Sequence, residues 1–311
     1  MPTLCALPTG RLTKAMTGRV LVTGSEGFTG RYVTAALERQ GWQVISTGVK
    51  ALDTRKDYIQ ADLSNPSHVT ELVRSARADA VIHLAAIAFV AHGDPGAFYA
   101  LNLVATRHLL AALAESTHQP TSVVLASSAN IYGNQTAGTL SETTTPNPAN
   151  DYAVSKLAME YMAKLWMDRL PITITRPFNY TGIGQNPFFL VPKIVQHCRD
   201  KQATIELGNL DVGRDFSDVR DVAAVYAALA EQPLVGETVN ICSGQCYQLS
   251  EVVAMAQDIS QHVMNVQVYP HLIRDNEVKE LRGDATKLAK VMGQHAYKDL
   301  PATLAWMLGC D

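Results

Sequence analysis

The most constraining feature of this sequence is a glycine-rich loop between an apolar segment and an amphipathic one. Residues 19–23 are mostly apolar, glycines follow at positions 24, 27 and 30, and residues 28–40 have helical periodicity. The first glycine permits a tight turn, the second lets the backbone approach a pyrophosphate, and the third lets helix and strand pack closely. The pattern predicts a dinucleotide site at a helix N-terminus, although glycine spacing alone also suits a turn that binds no ligand.

Further apolar runs alternate with amphipathic segments along the chain. The runs occupy residues 43–47, 58–61, 80–84, 122–126, 172–175 and 239–242, and the helical segments occupy 66–76, 96–117, 151–170 and 221–231. Near-continuous hydrophobicity indicates strands buried on both faces, and the alternation indicates βαβ crossovers. We predict an α/β fold, a Rossmann-like doubly wound parallel sheet with a smaller, interleaved C-terminal substrate-binding region.

The composition of the sequence changes after residue 176, where proline, glycine and aromatic residues cluster. Loops of this kind at the carboxyl ends of parallel strands are where ligands bind in doubly wound sheets. We expect a dinucleotide-binding domain over 16–175, to which a strand at 236–243 returns, and a mostly substrate-binding region over 176–311. Residues 1–15 lack the continuous apolar stretch of a signal peptide, and we interpret them as a loose leader.

Charge and cysteine content exclude several classes of partner. The 311 residues include 26 Lys and Arg against 29 Asp and Glu, so the formal net charge of −3 provides no basic field for nucleic acid or an anionic membrane. The longest nearly apolar stretch, 80–90, is shorter than the roughly 20 residues of a membrane span. Five scattered cysteines fit reduced thiols better than disulfides or a metal site, so we expect a cytoplasmic protein without metal.

The end of the second predicted strand bears on the choice of cofactor. NAD-preferring sites usually have an acidic residue there that binds the ribose 2′-hydroxyl. Here the strand ends in Ser-Thr-Gly-Val-Lys, and no carboxylate appears before residue 53. A 2′-phosphate could lie near Lys50, Arg31 or Arg55, so NADPH is favoured and NAD(H) stays open. Asp62 is a candidate for the adenine edge or an ordinary surface residue at a strand end.

A serine pair and a Tyr-x-x-x-Lys motif supply the candidate catalytic groups. Ser127 and Ser128 follow the fifth strand, and Tyr152 and Lys156 are four residues apart in a predicted helix. Residues at that spacing share a helix face, so the ammonium is expected beside the phenol. A neighbouring cation favours the phenolate, and we expect the pKa of Tyr152 to move from about 10 toward neutrality. On an ordinary helix the same spacing is simply an exposed pair.

These motifs together resemble the extended short-chain dehydrogenases/reductases, the NAD-dependent epimerases and dehydratases acting on nucleotide sugars. The similarity rests on T-G-x-x-G-F-x-G at 23–30, L-A-A at 84–86, Asn102, the serine pair, Y-x-x-x-K at 152–156 and R-P-F-N at 176–179. Within the family, RPFNYTGIGQ, GRDFSDVRDV and VNICSGQ are most similar to the GDP-4-dehydro-6-deoxy-D-mannose reductase branch. The resemblance implies NADPH-dependent reduction at C4 of a nucleotide-linked, preferably GDP-linked, 4-keto-6-deoxy sugar, giving products such as GDP-rhamnose or GDP-6-deoxy-talose.

The resemblance also implies roles for individual residues. Tyr152 would protonate the developing oxyanion, Ser128 would hydrogen-bond to it, Lys156 would tune Tyr152 and hold the nicotinamide ribose, and Asn102 would support this geometry. The expected cofactor contacts are Gly24, Glu26, Gly27, Phe28, Gly30, Arg31, Asp62, Leu63, Leu84, Ala85, Ala86, Tyr152, Lys156 and Pro177. The expected substrate contacts are Ser127, Asn130, Asn179, Lys193, Arg214 and Arg282.

Some of these residues have an ordinary structural interpretation as well. Arg214 and Arg282 could instead pair with Asp215, Asp218 or Asp284 at the surface. His83, in an apolar strand, is more simply explained as a hydrogen-bonded core residue.

Two other functions remain alternatives. Dehydratases of this family carry an acid and a base after the catalytic hydroxyl residue, where this chain has Ala129 and Asn130, and Asn cannot exchange a proton near neutral pH. Dehydration is therefore disfavoured, whereas a 4-epimerase that holds NAD tightly stays open. A non-catalytic dinucleotide sensor is a third function, against which Tyr152 and Lys156 argue. We expect a homodimer through 96–117 and 151–170.

Overall fold

Parallel strands covered on both faces by helices form the centre of the protein. The computed structural model describes residues 18–52, 56–88, 94–133, 138–269 and 279–310. The expectations about the leader at 1–15 and about Arg55 fall outside these residues.

The strands are short and occur along the whole chain. In chain order they are β1 (Gly18–Thr23), β2 (Trp42–Gly48), β3 (Tyr58–Gln60), β4 (Ala80–His83), β5 (Ser122–Ala126), β6 (Thr139–Leu140), β7 (Ile172–Pro177), β8 (Asn179–Thr181), β9 (Thr204–Leu207), β10 (Gly213–Asp218), β11 (Thr238–Ile241), β12 (Cys246–Gln248), β13 (Asn265–Val268) and β14 (Glu280–Gly283).

The helices separate most of these strands. They are α1 (Phe28–Gln40), α2 (Pro66–Ala76), α3 (Pro95–Phe98), α4 (Thr106–Glu115), α5 (Asp151–Lys164), α6 (Leu190–Arg199), α7 (Val219–Glu231), α8 (Leu249–Ser260), α9 (Thr286–Met292) and α10 (Leu300–Leu308). A π-helical segment, Tyr99–Ala105, joins α3 to α4, and a 3-10 turn, Ala129–Tyr132, follows β5.

The main sheet has seven strands in the order β11-β7-β5-β4-β1-β2-β3, and every neighbouring pair is parallel. This confirms the predicted Rossmann-like α/β fold. The strand order reverses between β1 and β4, and ligands of doubly wound sheets bind at such a switch point. The glycine loop after β1 and residues 84–86 after β4 both lie there.

The smaller sheet interleaves with the main one along the chain. Strand β10 pairs with β8, β12 and β14, and β14 pairs with β6, so segments before and after β11 contribute to it. A single residue separates the end of β7 from the start of β8, and β11 returns to the main sheet beside β7. A short pair, β9 and β13, lies apart from both sheets.

Of the four apolar clusters in the described residues, three hold these layers together. One contains residues of α2, α4 and α5 on one face of the main sheet, the second contains α1 and α7 on the other face, and the third joins α6, α8 and α10. Local signals set several helix ends. Asn65, the N-cap of α2, accepts a hydrogen bond from the Ser67 amide at 2.9 Å, ahead of a first-turn proline.

The helix predicted at 96–117 differs from a regular α-helix. It spans Pro95–Glu115, and its middle is the π-helical segment that contains Asn102. By length and composition this one helix of the described chain could cross a membrane. The expectation from the sequence, based on continuous apolar runs, did not identify it. Its inward side buries Leu109, Leu110 and Leu113 in the core, as core helices of soluble proteins do.

Candidate active site

The glycine loop lies against the segment that follows β4. Gly24 has a φ of +70°, and a Cβ there would lie 2.8 Å from the Ala85 amide nitrogen. At Gly30 a Cβ would lie 2.1 Å from the Gly24 carbonyl oxygen. Neither position accepts a side chain, so the loop keeps bare backbone at the N-terminus of α1. This backbone cradle at the switch point fits the pyrophosphate of a dinucleotide.

The candidate adenosine end lies beside this loop. A cavity of about 460 Å³ is lined by Ser25, Glu26, Arg31, Thr34, Ala35, Glu38 and Leu52. Arg31 donates from Nε to the Glu26 carbonyl at 3.1 Å, which leaves the rest of its exposed guanidinium at the cavity. Lys50 is exposed just beyond β2, while Asp62 accepts hydrogen bonds from Ser64 at 2.7 and 2.9 Å. The adenine contact expected of Asp62 stays a prediction, since a local turn already uses its carboxylate.

The other expected cofactor contacts divide between surface and core. Phe28, Leu84, Ala85, Ala86 and Pro177 are partly buried around the switch point. Leu63 is buried in the core and Gly27 is exposed in the loop.

Ser128, Tyr152 and Lys156 meet at the carboxyl end of β5. Ser128 caps the 3-10 turn by accepting from the Asn130 amide at 3.2 Å, and it hydrogen-bonds to the Tyr152 phenol. Tyr152 is in the first turn of α5, which Asn150 caps. Lys156, one turn later, donates from Nζ to the Ala126 carbonyl at 2.7 Å. All three groups are buried, so water screens them little.

Burial shifts the pKa values of this pair away from their ordinary range. Desolvation raises the pKa of Tyr152 to about 12, against the hydrogen bond from Ser128. Desolvation also lowers the pKa of Lys156 to about 8, against the attraction of Glu160. The expectation that Lys156 moves the pKa of Tyr152 toward neutrality is wrong for this structure. Burial dominates the pKa of Tyr152, and the Lys156 ammonium donates its hydrogen bond to the Ala126 carbonyl.

Asn102 is buried in the π-helical segment that packs against α5. Its side-chain oxygen accepts from the Ile87 amide at 3.0 Å, and its amide nitrogen donates to the Ile87 carbonyl at 3.2 Å and to Ser155 Oγ at 3.1 Å. The residue therefore joins the chain after β4 to the catalytic helix, and it touches neither Tyr152 nor Lys156 through these bonds.

A buried ion pair connects α5 to β7. Arg176 binds Glu160 in a bidentate pair at 2.7 and 3.0 Å and also donates to the Tyr132 hydroxyl at 3.0 Å. Glu160 is one turn beyond Lys156. The pair ties α5 to the end of β7, where Pro177 begins the segment leading to β8.

Four of the expected substrate residues lie on β8, on α6 and in the segment after β5. Asn179 is half-buried at the start of β8, and its Nδ2 atom is buried without a hydrogen-bond partner among the described residues. Lys193, in α6, donates to the Glu206 carbonyl at 2.5 Å. Ser127 Oγ is buried without a partner in the described chain, and Asn130 is exposed beside the serine pair.

The two candidate phosphate-binding arginines lie on adjacent strands of the smaller sheet. Arg214, in β10, donates to the Gly213 carbonyl at 2.8 Å. Arg282, in β14, is 3.7 Å from Glu280 and lines a cavity of about 550 Å³ with residues 244–248 and Glu251. The alternative interpretation paired these arginines with nearby aspartates. In the structure, Asp218 instead pairs with Arg220, and Asp284 accepts from the Thr286 amide.

Asp215 has a role that the sequence did not reveal. It is fully buried, and its two oxygens accept from the Ser243 amide and hydroxyl, the Gly244 amide and the Gly283 amide at 2.7–3.2 Å. It therefore fixes the 243–245 loop and the end of β14 as one wall of the cavity. Asp215 lies in the GRDFSD motif, which the sequence analysis identified. Its role was not predicted, because its hydrogen-bond partners are far from it in the sequence.

Tyr180 is a second residue that the sequence interpretation missed. Its hydroxyl hydrogen-bonds to Thr29 at 2.7 Å, and its ring stacks on Phe28 at 6.1 Å between centroids. It also contributes to the raised pKa of Tyr152. Its place beside Asn179 in the RPFNYTG motif was the available signal. The residue links the glycine loop to β8.

His83, given only as a core histidine, is buried and hydrogen-bonded at both ring nitrogens. Within the described residues no group of three or more His, Cys, Asp or Glu side chains could hold a metal ion.

Two curated relatives match this chain over most of its length and of their own. GDP-6-deoxy-D-talose 4-dehydrogenase of Aggregatibacter actinomycetemcomitans is 36% identical over 88% of this chain and 91% of its own length. GDP-6-deoxy-D-mannose reductase of Pseudomonas aeruginosa is 34% identical over 89% of this chain and 92% of its own length.

Solved structures agree with the fold. A putative epimerase of Burkholderia cenocepacia has a TM-score of 0.89 at 48% identity, over 95% of this chain and 98% of its own. RMD from Pseudomonas aeruginosa complexed with NADPH gives 0.83 at 31% identity, over 94% and 98%. MoeE5 in complex with UDP-glucuronic acid and NAD gives 0.84 at 27% identity, over 94% and 98%. Structural neighbours thus bind either form of the cofactor.

The family match covers the part of the chain that builds the main sheet. It extends over residues 20–242, from within β1 to the residue after β11, and so includes Ser128, Tyr152 and Lys156. This match, the two relatives above 30% identity and the parallel sheet agree with one another. The chain therefore belongs to the NAD dependent epimerase/dehydratase family and is an NAD(P)-dependent enzyme.

Proposed function

We propose that this protein is an NADPH-dependent reductase of a GDP-linked 4-keto-6-deoxyhexose. The observation that carries the proposal is a neutral, buried Tyr152 hydrogen-bonded to Ser128 at the switch point, in a chain whose relatives act, by name, on GDP-6-deoxy sugars. A reductase must hold a proton until the carbonyl oxygen gains charge. A pKa of about 12 keeps that proton on Tyr152 throughout the neutral range.

The side chains divide the work of carbonyl reduction. A nicotinamide cofactor, when bound, supplies hydride transfer to a carbonyl carbon. Tyr152 donates its phenolic proton to the carbonyl oxygen, and Ser128 donates a hydrogen bond to the same oxygen as negative charge develops. Lys156, one turn along α5, would compensate the charge left on Tyr152 and would help to hold the nicotinamide ribose. Asn102 holds α5 in register with the chain after β4.

The substrate would lie at the smaller sheet, beside the residues of β8, β10 and β14 that we assign to it. Asn179 has an unpartnered buried amide that can donate to the hexose or the diphosphate. Arg214 and Arg282 supply the positive charge that a diphosphate requires, since the net charge of the chain is −3. Lys193, whose ammonium donates to the Glu206 carbonyl in the structure, would supply a further positive charge. The favoured nucleotide is GDP on the names of the relatives alone.

Dehydration lacks its acid and base here. Ala129 and Asn130 begin the 3-10 turn directly after Ser128, where neither side chain can exchange a proton. The proposal is therefore restricted to reduction at C4.

A 4-epimerase is the second candidate, because the similar Burkholderia cenocepacia structure is described as a putative epimerase. The two functions differ in net redox. Purified protein is to be mixed with NADPH and GDP-4-keto-6-deoxymannose, and consumption of NADPH with formation of a GDP-6-deoxyhexose is expected. Silence with GDP-, dTDP-, UDP- and CDP-linked 4-keto sugars, together with bound NAD and sugar interconversion, would identify the epimerase instead.

We also infer a cytoplasmic homodimer. Val154, Tyr161 and Leu165 follow one another along the same face of α5 and its end, with 39, 60 and 80% of their surfaces exposed. Val104, 44% exposed, extends this apolar strip onto the π-helical segment packed beside α5. A strip of this kind fits a second copy of the same face. The free thiols among the described residues fit a reducing compartment.

A further inference from the structure

A chain of buried hydrogen bonds connects the glycine loop to the catalytic helix. It starts at Thr23, the residue before Gly24, whose hydroxyl is 2.7 Å from His83 Nδ1. His83 Nε2 is 2.9 Å from the Thr106 hydroxyl, which donates to the Asn102 carbonyl at 2.8 Å. Asn102 then donates to Ser155 Oγ at 3.1 Å.

The far end of this chain reaches Tyr152 itself. Ser155 Oγ donates to the Tyr152 carbonyl at 2.7 Å. Thr23, His83, Thr106, Asn102 and Ser155 are each at most 3% exposed. In such surroundings a lost bond is not replaced by water, so each link constrains its neighbours.

The donors determine the tautomer of His83. The Thr106 hydroxyl proton is used on Asn102, so Thr106 must accept from His83, and Nε2 carries the hydrogen. Nδ1 is then an acceptor, and the Thr23 hydroxyl donates to it while accepting from the Ala85 amide at 3.2 Å. The imidazole is neutral, because burial and the Lys156 cation lower its pKa to about 3.

We propose that His83 is a positioning residue that sets the distance between the cofactor loop and Tyr152. Its Nδ1 side fixes Thr23 and with it Gly24 and Ala85, which form the candidate pyrophosphate cradle. Its Nε2 side fixes Thr106, Asn102 and Ser155, which carry the backbone of Tyr152. The inference rests on the proposed role of Tyr152 for its effect on turnover, while its effect on cofactor affinity is independent of the substrate.

Two substitutions separate the halves of the imidazole. Asn reaches only the Nδ1 position and offers an acceptor to Thr23, whereas Gln reaches the Nε2 position and offers an N–H to Thr106. In His83→Asn we expect kcat to fall about tenfold or more with the Kd for NADPH within about threefold of the parent, because Tyr152 loses its alignment. In His83→Gln we expect the Kd for NADPH to rise about tenfold, with the smaller loss in kcat.

A pair of buried threonines provides the control for packing. Thr106→Val removes a hydroxyl of the network, and Thr173→Val removes a buried hydroxyl in β7 that has no hydrogen-bond partner in the described chain. We expect Thr106→Val to reproduce the loss in kcat of His83→Asn and Thr173→Val to leave kcat unchanged. Equal effects of the two threonine variants would overturn the proposal.

A third measurement needs no substrate. Nitrogen NMR of the NADPH-bound enzyme should show a neutral His83 with the hydrogen on Nε2 at pH 7, and the opposite tautomer or an imidazolium contradicts the chain. If no sugar is reduced, the proposed function fails, yet the tautomer and the difference in NADPH affinity between the two His83 variants still test this inference. His83→Asn and His83→Gln with the same Kd, kcat and stability would reduce His83 to core packing.

Discussion

At the scale of single residues, the site combines a phenol that keeps its proton with an ammonium that loses its proton easily. Burial raises the pKa of Tyr152 to about 12 and lowers that of Lys156 to about 8, because burial disfavours the charged form of both groups. In the proposed mechanism, proton donation would therefore depend on the charge of Lys156 and on a developing oxyanion, rather than on a phenolate formed in advance.

Replacing Tyr152 by Phe removes the proton donor and keeps the ring. We expect turnover to fall by about 10²–10⁴-fold, the usual contribution of a general acid, while the Kd for NADPH changes little. Steady-state kinetics and fluorescence titration with NADPH measure the two effects. Tyr161→Phe, on the exposed side of the same helix, is the matched control and should be silent. A Tyr152→Phe rate within twofold of the parent contradicts the assigned role.

The pH profile should report Lys156. Its ammonium is present below its pKa of about 8 and is lost above it, whereas Tyr152 stays neutral up to about 12. We therefore expect kcat/KM to decline as pH rises through about 8, with no phenolate-dependent rise in the same range. Lys156→Arg retains the cation, so its profile, at a lower rate, should lack that decline. A parent profile that is flat up to about pH 10 would be incompatible with this view.

At the scale of elements, the carboxyl ends of β1, β4 and β5 bring together loops distant in sequence. The glycine loop follows β1, Ala85 follows β4, and Ser128 follows β5. Their separations are set by strand register, with Thr23 opposite His83 and His83 opposite Leu125. Asp215 performs the corresponding task in the smaller sheet, where it fixes the 243–245 loop against β14.

Gly24→Ala tests the fit of the first of these loops. A side chain there would be strained by a φ of +70° and would meet the Ala85 amide nitrogen at 2.8 Å. Gly236→Ala carries the same kind of backbone strain, at a φ of +78°, in open space. We expect both to lose about 1 kcal/mol of stability or more, but only Gly24→Ala to weaken NADPH binding, by at least about tenfold. Equal Kd values by calorimetry would show that the cradle is not used.

At the scale of the whole molecule, the two sheets are built from strands that alternate along the chain. In chain order, β11 of the main sheet follows three of the five strands of the smaller sheet. The Arg176–Glu160 ion pair joins the catalytic helix to β7. The cofactor cradle and the arginine-lined cavity are therefore parts of one folded unit. The apolar strip on α5 is exposed in the single chain, and we propose that a second copy covers it.

Leu165→Glu tests that assembly. Leu165 is 80% exposed, so a charge there costs the isolated chain little, but in a symmetric interface each copy would bury a like charge against an apolar surface. Light scattering should give a dimer for the parent and a monomer for the variant, with similar circular dichroism. Val263→Glu, at an 83% exposed position away from α5, is the control and should stay dimeric. A monomeric parent would remove the dimer proposal.

The sequence by itself determined the fold class and the local motifs. Alternating apolar runs specified the parallel sheet, because strands covered on both faces must be apolar throughout. The spacings of Gly24, Gly27 and Gly30 and of Tyr152 and Lys156 were readable because turns and helices relate residues close along the chain. The roles of the substrate residues stay predictions, since residue types alone do not say where a diphosphate lies.

Only the tertiary structure decided the features that depend on burial and on long-range contacts. The raised pKa of Tyr152 comes from desolvation, which the Tyr-x-x-x-Lys spacing does not reveal. Asp215 is paired with residues 243, 244 and 283, and His83 with residues 23 and 106, which no local pattern relates. These side chains meet because strand order brings distant segments together, so their functions are properties of the packed sheet rather than of any stretch of sequence.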